Sequence, residues 1–165
     1  MGARLAWPAD APALATMQRR VWSADVGMTH APDELEERWA ATLTASPEAR
    51  FRALVATAKG EVVGYAVVHP GADPGVDPVV DAEVAELAID PGARGAGHGS
   101  RLLQAVVDTL VADGFTVARC WVRTDDDAMR RFLTSAGWAA DGAHRELESE
   151  SGERLRQVRL HTRIG

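Results

Sequence analysis

The segment from residue 89 to residue 103, IDPGARGAGHGSRLL, restricts the fold of this chain more than any other. Four glycines separate a β-rich run from an apolar pattern with helical spacing. Glycine has no Cβ, so a ligand can approach the backbone closely, and the free N–H groups where a helix begins attract phosphate. The segment therefore predicts a strand, a phosphate-binding turn and a helix. The plainer alternative is that the glycines only make the turn.

Two familiar phosphate-binding loops do not fit this segment. A dinucleotide-binding fingerprint would need a third glycine at a position where Ser100 or Leu102 stands. A nucleoside-triphosphate loop would need Lys and Ser or Thr where His98 and Gly99 stand. Neither a triphosphate nor its magnesium ion would find the usual partners, so the turn predicts another phosphate ligand.

The flanking pattern predicts a strand over 79–90, an amphipathic helix that ends near Asp113-Gly114, and a further strand over 115–122. Two such strands joined by one helix form a plausible right-handed crossover with parallel strands. Three further helices are predicted, over 11–22, from Pro32-Asp33 through Leu43, and over 126–136. The remaining strands are a hairpin of 51–57 and 61–68, and two strands over 137–147 and 154–162. Loops are predicted over 23–31 and 69–78, and a turn over 149–153.

Composition sets the class of protein. A length of 165 residues suits one domain, residues 1–165, and 46% apolar with 25% charged residues is ordinary for a globular chain. A net charge of −6, without a basic stripe, disfavours nucleic acid as a partner.

The sequence also bears on location and source. We expect no membrane segment and no signal peptide. Cys120 is the single cysteine, which excludes an internal disulfide and favours a cytoplasmic protein. Abundant Arg and Ala with one Lys favours a bacterial source.

Two motifs together resemble the GNAT superfamily of acetyltransferases. The run from Arg94 to Gly99, RGAGHG, is similar to the signature Arg/Gln-x-x-Gly-x-Gly/Ala, and DDAMRRFLTSAGW resembles the second conserved helix of that family. The resemblance implies an α/β (α+β) fold. Its central mixed, mostly antiparallel sheet has about seven strands flanked by about four helices, and two splayed parallel strands form the acetyl-CoA cleft.

Acetyl-CoA is the donor that the resemblance implies, with a primary amine of a small molecule, amino acid or peptide as acceptor and no metal. The pyrophosphate would lie on backbone N–H groups across 94–100, and the pantetheine arm would pair with the strand before the turn. The implied cofactor-binding residues are Leu87, Ala88, Ile89, Arg94, Gly95, Ala96, Gly97, His98, Gly99, Ser100, Asp126 and Phe132.

The acceptor amine requires a base, because neutralising an alkylammonium of pKa near 10 at pH 7 costs about 4 kcal/mol. Glu83 is the first candidate, since AEVAELAI resembles the strand of the histone acetyltransferase branch and Glu83 shares strand parity with Leu87 and Ile89. Glu86 is the second catalytic candidate and His69 a third. The plainer alternative is that either glutamate pairs with an arginine at a sheet edge.

Some features depart from the family pattern. Leu133 stands where many members have the tyrosine that protonates the departing thiolate, and Asp126 stands where an Asn often contacts pantetheine. Water or Ser135 could serve as the acid instead. The alternative function is a catalytically weak CoA-binding sensor or regulatory module. A homodimer remains compatible with the sequence, which does not identify the acceptor.

Overall fold

The computed structural model describes residues 2–26, 34–148 and 152–165. Short 3₁₀ turns at Pro8–Asp10 and Pro91–Ala93 accompany the helices and strands. The elements of these residues are, in chain order, β1 (Gly2–Leu5), α1 (Ala11–Val26), α2 (Leu35–Thr44), β2 (Arg52–Ala58), β3 (Glu61–Pro70), β4 (Asp81–Ile89), α3 (His98–Ala112), β5 (Val117–Arg123), α4 (Asp127–Ser135), β6 (Ala139–Glu148) and β7 (Arg154–Arg163).

The seven strands form one sheet in the order β1-β2-β3-β4-β5-β7-β6. β4 and β5 pair in parallel through Asp81–Glu83 and residues 117–119, while β1 with β2, β2 with β3, and β7 with both β5 and β6 are antiparallel. The predicted mixed, mostly antiparallel sheet with four helices and one parallel strand pair is therefore confirmed. The parallel ladder occupies the first three residues of the nine-residue β4.

The chain divides into two compact units, with boundaries that fall near the end of β3, within β4 and near the end of α3. The first unit comprises Met1–His69 and Glu86–Thr109. Its core forms because apolar residues recur at helical spacing along α1 and α2 and pack on strands β2 and β3. The β2–β3 hairpin closes through Lys59 (φ 52°) and Gly60 (φ 78°), a two-residue turn with positive φ at both positions. The buried core residues are Ala11, Leu14, Ala15, Met17, Val21, Leu35, Trp39, Ala53, Val55 and Tyr65.

The second unit comprises Pro70–Ala85 and Leu110–Gly165. Its central strand β5 alternates as a half-buried strand should: Ala118, Cys120 and Val122 are buried, and the residues between them are partly exposed. Cys120 is thus a packing residue. The partly exposed face of β5 carries Arg119 and Trp121, which belong to the polar cluster described below.

Several boundaries of the sequence prediction were wrong by two to four residues, and β4, β5 and β6 each begin two residues later than the predicted strands. The loop predicted over 23–31 begins too early, because α1 continues through Val26 and no Gly or Pro precedes residue 27 to end it. The predicted turn over 69–78 also begins too early, since His69 and Pro70 complete β3, and a strand end tolerates proline. The rest of the loop, the predicted helix start at Pro32-Asp33 and most of the 149–153 turn lie outside the described residues. Within the described part of the chain, no helix is long and apolar enough to span a membrane.

Candidate active site

The glycine-rich turn joins β4 to α3 in the first unit. Asp90 accepts the N–H of Gly92 (3.3 Å) and so caps the 3₁₀ turn that follows β4. Gly95 and Gly97 then adopt left-handed backbone angles, φ 84° and 85°, which other residues reach only with strain. The chain can enter α3 at this angle because glycine occupies both positions.

The turn has the features that a phosphate group needs. Residues 94–97 are exposed, and the first helical hydrogen bond runs from the Arg101 N–H to the Gly97 carbonyl (3.3 Å). The N–H groups of the first helical turn have no carbonyl partner within their helix, so they are available to an anion. A Cβ on Gly97 would lie 3.0 Å from Nη1 of Arg101. The residues of this turn therefore fit a pyrophosphate.

His98 and Arg94 have different surroundings within this turn. His98 is 6% exposed, and its Nδ1 has no hydrogen-bond partner among the residues that the structure describes. Arg94 donates from both Nη atoms to the carboxylate of Asp25 in α1 (3.0 and 2.9 Å) and from Nε to the carbonyl of Ile89 (3.1 Å). Arg94 thus connects α1 to the end of β4, while Ser100 is exposed.

The end of β4 lies close to β3. A Cβ at Gly64 would be 3.0 Å from the Ala88 carbonyl oxygen and 2.5 Å from Cδ1 of Ile89. Glycine at this position of β3 therefore makes room for the segment of β4 that the sequence assigned to pantetheine. Leu87, Ala88 and Ile89 are each partly exposed.

Glu86 lies in the same unit, immediately before that segment. Gln18 of α1 donates from Nε2 to both carboxylate oxygens of Glu86 (3.2 Å each), and the Tyr65 hydroxyl also donates to this carboxylate. Burial raises the pKa of Glu86 above its ordinary value, and these two hydrogen bonds offset only part of the rise. Within residues 2–26, 34–148 and 152–165, no Arg, Lys or His forms an ion pair with Glu86.

The side chains around Glu86 are themselves buried and fixed. Gln18 is 5% exposed, and its Oε1 accepts the indole N–H of Trp39 in α2 (2.9 Å). Trp39 meets the Tyr65 ring edge-to-face, with 5.7 Å between the ring centroids. Burial, together with the charge of Glu86, raises the pKa of Tyr65, so its hydroxyl stays protonated and remains a donor. α1, α2 and β3 thus each contribute one side chain to this network.

Glu83 lies in the second unit and has different surroundings. It is opposite Arg119 in the parallel pairing of β4 with β5, and its side chain is partly exposed. Burial raises the pKa of the Cys120 thiol to about 12, and the charge of Glu83 adds to this rise. Among the described residues, Glu86 thus accepts hydrogen bonds from neutral donors and does not pair with an arginine, which was the plainer alternative for either glutamate.

A polar cluster occupies the partly exposed face of β5 in the second unit. Asp141 accepts from Arg119 and from Arg159 (2.7 Å each), and Asp73 accepts from the Trp121 indole (2.8 Å) and from Arg159 (3.0 Å). Burial opposes ionisation of Asp141, but these arginines and a backbone N–H outweigh it and lower its pKa. Asp141 is thus held ionised by its hydrogen bonds with these arginines.

Comparison with known proteins adds the family to this geometry. The pattern of the Acetyltransferase (GNAT) family matches residues 12–138, which include α1, the hairpin, the glycine turn and α4. The chain belongs to this family. The GNAT family uses acetyl-CoA, in agreement with the fit of the turn to a pyrophosphate. Within the described residues, no group of His, Cys, Asp or Glu could hold a metal ion.

One curated relative with sequence similarity to this chain is also named an acetyltransferase. A mycothiol acetyltransferase from Amycolatopsis mediterranei (strain U-32) is 38% identical over 84 residues, which are 51% of this chain and 25% of that protein. The matched part of the chain thus spans about a quarter of the relative's length.

Solved structures share the fold at lower identity. A ribosomal-protein-alanine N-acetyltransferase from Brucella melitensis has a TM-score of 0.83 at 23% identity, covering 99% of this chain and 100% of that one. YncA from Salmonella typhimurium, a structure with its cofactor acetyl-CoA, has a TM-score of 0.78 at 20% identity, covering 100% and 94%.

The last helix of this GNAT chain shows why the usual acid is missing. Leu133 is fully buried, so the place where many members carry a tyrosine is occupied by a core side chain. Asp126 caps α4 by accepting the Met129 N–H (3.1 Å), and the Ser135 hydroxyl donates to the Phe132 carbonyl (2.7 Å). Phe132 itself is partly exposed.

Sequence reasoning missed Gln18 and Tyr65 as neighbours of Glu86, and Trp39 as the partner of Gln18. The signal was present for Gln18, which falls four residues after Leu14 and therefore on the apolar face of α1. A polar side chain at such a position must find a buried partner.

Proposed function

We propose that this GNAT domain transfers the acetyl group of acetyl-CoA to a primary amine, with Glu86 as the general base. The observation that carries the proposal is the half-buried Glu86 carboxylate, which accepts hydrogen bonds from two neutral donors and has no ion-pair partner among the described residues. A carboxylate with a raised pKa is better matched to take a proton near neutral pH than an ordinary one.

The donor is assigned to the turn and to the end of β4. The backbone of Gly95, Ala96, Gly97, His98 and Gly99 would hold the pyrophosphate, and the main chain of Leu87 and Ile89 would pair with the pantetheine arm. Glu86 directly precedes this pairing segment. Bound acetyl-CoA supplies the thioester whose acyl group moves to the amine nitrogen as the C–N bond forms and the C–S bond breaks.

The protein's own contribution to the reaction is proton transfer. Glu86, when ionised, accepts the proton that the amine must lose. A tyrosine in α4 is not available, because Leu133 occupies that place, so water protonates the thiolate. This costs little, since a thiol of pKa near 8.5 is a good leaving group at neutral pH.

The test compares Glu86→Gln with Glu83→Gln in steady-state turnover. The acceptor panel contains amino acids, polyamines and a peptide that begins with alanine, the last because one structural neighbour is named an alanine N-acetyltransferase. Glu86→Gln keeps the shape and one of the two acceptor oxygens but takes no proton, so we expect kcat to fall about 100-fold or more at pH 7, in the range that general bases contribute. The KM for acetyl-CoA should hardly change.

Glu83→Gln is the matched control, since it makes the same substitution three residues earlier in β4. A smaller loss than in Glu86→Gln is expected. If Glu83→Gln shows the larger loss, the base is Glu83. If acetyl-CoA binds tightly and no amine in the panel is acetylated, the sensor alternative replaces the enzyme assignment.

A further inference from the structure

Gln18 bonds Trp39 through one polar end and Glu86 through the other, with Tyr65 as a further hydrogen-bond neighbour, and Trp39 and Glu86 determine its orientation. An indole N–H only donates, so the Gln18 atom that faces Trp39 must be the carbonyl Oε1. The amide nitrogen must then face Glu86, where it lies 3.2 Å from each carboxylate oxygen. Trp39 thus excludes the flipped amide, which would point a carbonyl at a carboxylate.

Burial of the Gln18 amide costs free energy, and packing alone does not explain why an amide occupies this position. Gln18 is buried on the apolar face of α1, between core residues Leu14 and Val21, where an aliphatic side chain would normally be favoured. Its amide bonds Trp39 on one side and the carboxylate of Glu86 on the other. Trp39 donates a hydrogen bond to the Gln18 carbonyl, and the Gln18 amide donates in turn to the Glu86 carboxylate, so the three side chains form a hydrogen-bonded chain.

We propose that Gln18, oriented by Trp39, is a positioning residue that holds the Glu86 carboxylate ionised and correctly aimed for acetyl transfer. The inference deepens the proposed function and rests on it. Gln18 touches neither donor nor acceptor in this assignment; it acts through Glu86. Trp39 acts through Gln18, because its indole N–H determines which end of the Gln18 amide faces the Glu86 carboxylate.

Few groups among the described residues influence Glu86. From α1 come Gln18, which is neutral, and Asp25, whose charge acts on Tyr65 and which is paired with Arg94. From β3 comes the Tyr65 hydroxyl, which donates to Glu86. Gln18 and Tyr65 are thus the two donors that oppose the effect of burial, and loss of either favours the protonated acid.

Gln18→Leu is the direct test, because leucine keeps much of the volume and removes the donor. We expect the acid limb of the kcat/KM profile to move up by about one pH unit, in line with the strength of a hydrogen bond to a charged group. The KM for acetyl-CoA should stay within about twofold of wild type. Gln104→Leu is the control, since Gln104 bonds the carboxylate of Asp108 (2.9 Å) on the surface of α3.

A second measurement does not depend on turnover. In protein labelled with ¹³C at the glutamate carboxyls, the Glu86 resonance is assigned by its loss in Glu86→Gln and then titrated. The titration midpoint should rise in Gln18→Leu by the same shift as the acid limb, and stay unchanged in Gln104→Leu. This midpoint remains measurable if no acceptor is found, so failure of the proposed function and failure of this inference can be told apart.

Trp39→Phe is the milder variant should Gln18→Leu fail to fold. It keeps an aromatic ring against Tyr65 and removes only the indole donor, so the Gln18 amide can rotate. The Glu86 midpoint should rise by a smaller amount in the same direction. An unchanged midpoint in Trp39→Phe, or in a folded Gln18→Leu, overturns the inference.

A double variant separates positioning from general damage. If Gln18 acts through Glu86, adding Gln18→Leu to Glu86→Gln should change kcat less than about twofold, because the group that it serves is already gone. A full additional loss in the double variant would mean that Gln18 supports the fold or the donor site instead, and would contradict the inference.

Discussion

Glu86 is expected to be a source of instability as well as the base. Its folded-state pKa lies above the ordinary glutamate value of about 4.3, so the folded chain binds more protons than the unfolded chain between these two pKa values. The free energy of unfolding therefore falls as pH rises through this window. Ionised Glu86 reduces stability at pH 7, and protonated Glu86 does not.

Glu86→Gln should therefore raise the melting temperature at pH 7 to 8 by a few degrees, since a gain of about 1 kcal/mol shifts a domain of this size by roughly 2–4 °C. The gain should shrink towards zero below pH 4, where the wild-type side chain is already neutral. Thermal unfolding at several pH values checks this. Glu146→Gln, at a surface ion pair with Arg156, serves as control; a pH-independent gain in Glu86→Gln would contradict the prediction.

At the level of single residues, the sequence indicated the candidate glutamates but not their surroundings. Strand parity favoured Glu83, because it shares a face with Leu87 and Ile89 in a regular strand. Side chains distant in sequence determine the environment of Glu86: Gln18 lies 68 residues away. Periodicity within one element carries no information about which helix residue meets which strand residue, so this network could not be predicted.

At the level of elements, the glycine turn was the most predictable part of the chain, because its function depends on local backbone conformation. Four glycines, Asp-Pro before them and an aliphatic helix after them indicate one geometry, and Gly95 and Gly97 adopt it. The end of α1 was less predictable. Residues 23–25 are compatible with either helix or loop, so the last turn of the helix depends on contacts such as that of Asp25 with Arg94.

Gly97→Ala tests the turn as a pyrophosphate site. The added Cβ would block backbone approach and meet the Arg101 side chain, so the Kd for CoA should rise about tenfold or more. Alanine is also strained at φ 85°, so some loss of stability is expected. Calorimetric titration with CoA provides the measurement.

Gly114→Ala controls for that strain. Gly114 has φ 91° and open space around its Cα, and it follows the far end of α3. It should lose similar stability while its CoA affinity remains that of wild type. Equal CoA affinity in Gly97→Ala and wild type would remove the turn from the donor site.

At the level of the whole molecule, the fold confirms what the order of elements implied, and the comparisons add the family. The net charge of −6 offers little general attraction to an anionic donor, so its binding must depend on the local N–H groups of the turn.

Acetyl-CoA should therefore raise the melting temperature of the whole chain selectively. A ligand that binds only the folded state at 100 times its Kd adds about 2.7 kcal/mol to the free energy of unfolding. ATP and NAD should add much less, because the turn lacks the residues that their loops require. Thermal unfolding with each ligand in turn measures this, and a nucleotide that stabilises more than CoA does would refute the donor assignment.

The position of Tyr65 makes it a convenient residue for isotope labelling. It is the single tyrosine of the chain, it is fully buried, and its hydroxyl donates to Glu86. Cells fed with ring-labelled tyrosine would therefore yield a protein with one labelled aromatic side chain, located at the candidate base. The phenol carbon is sensitive to the hydrogen bond of its own hydroxyl, so one resonance of an unmutated protein would follow the site through ligand binding. The amino-acid composition thus provides a built-in spectroscopic reporter.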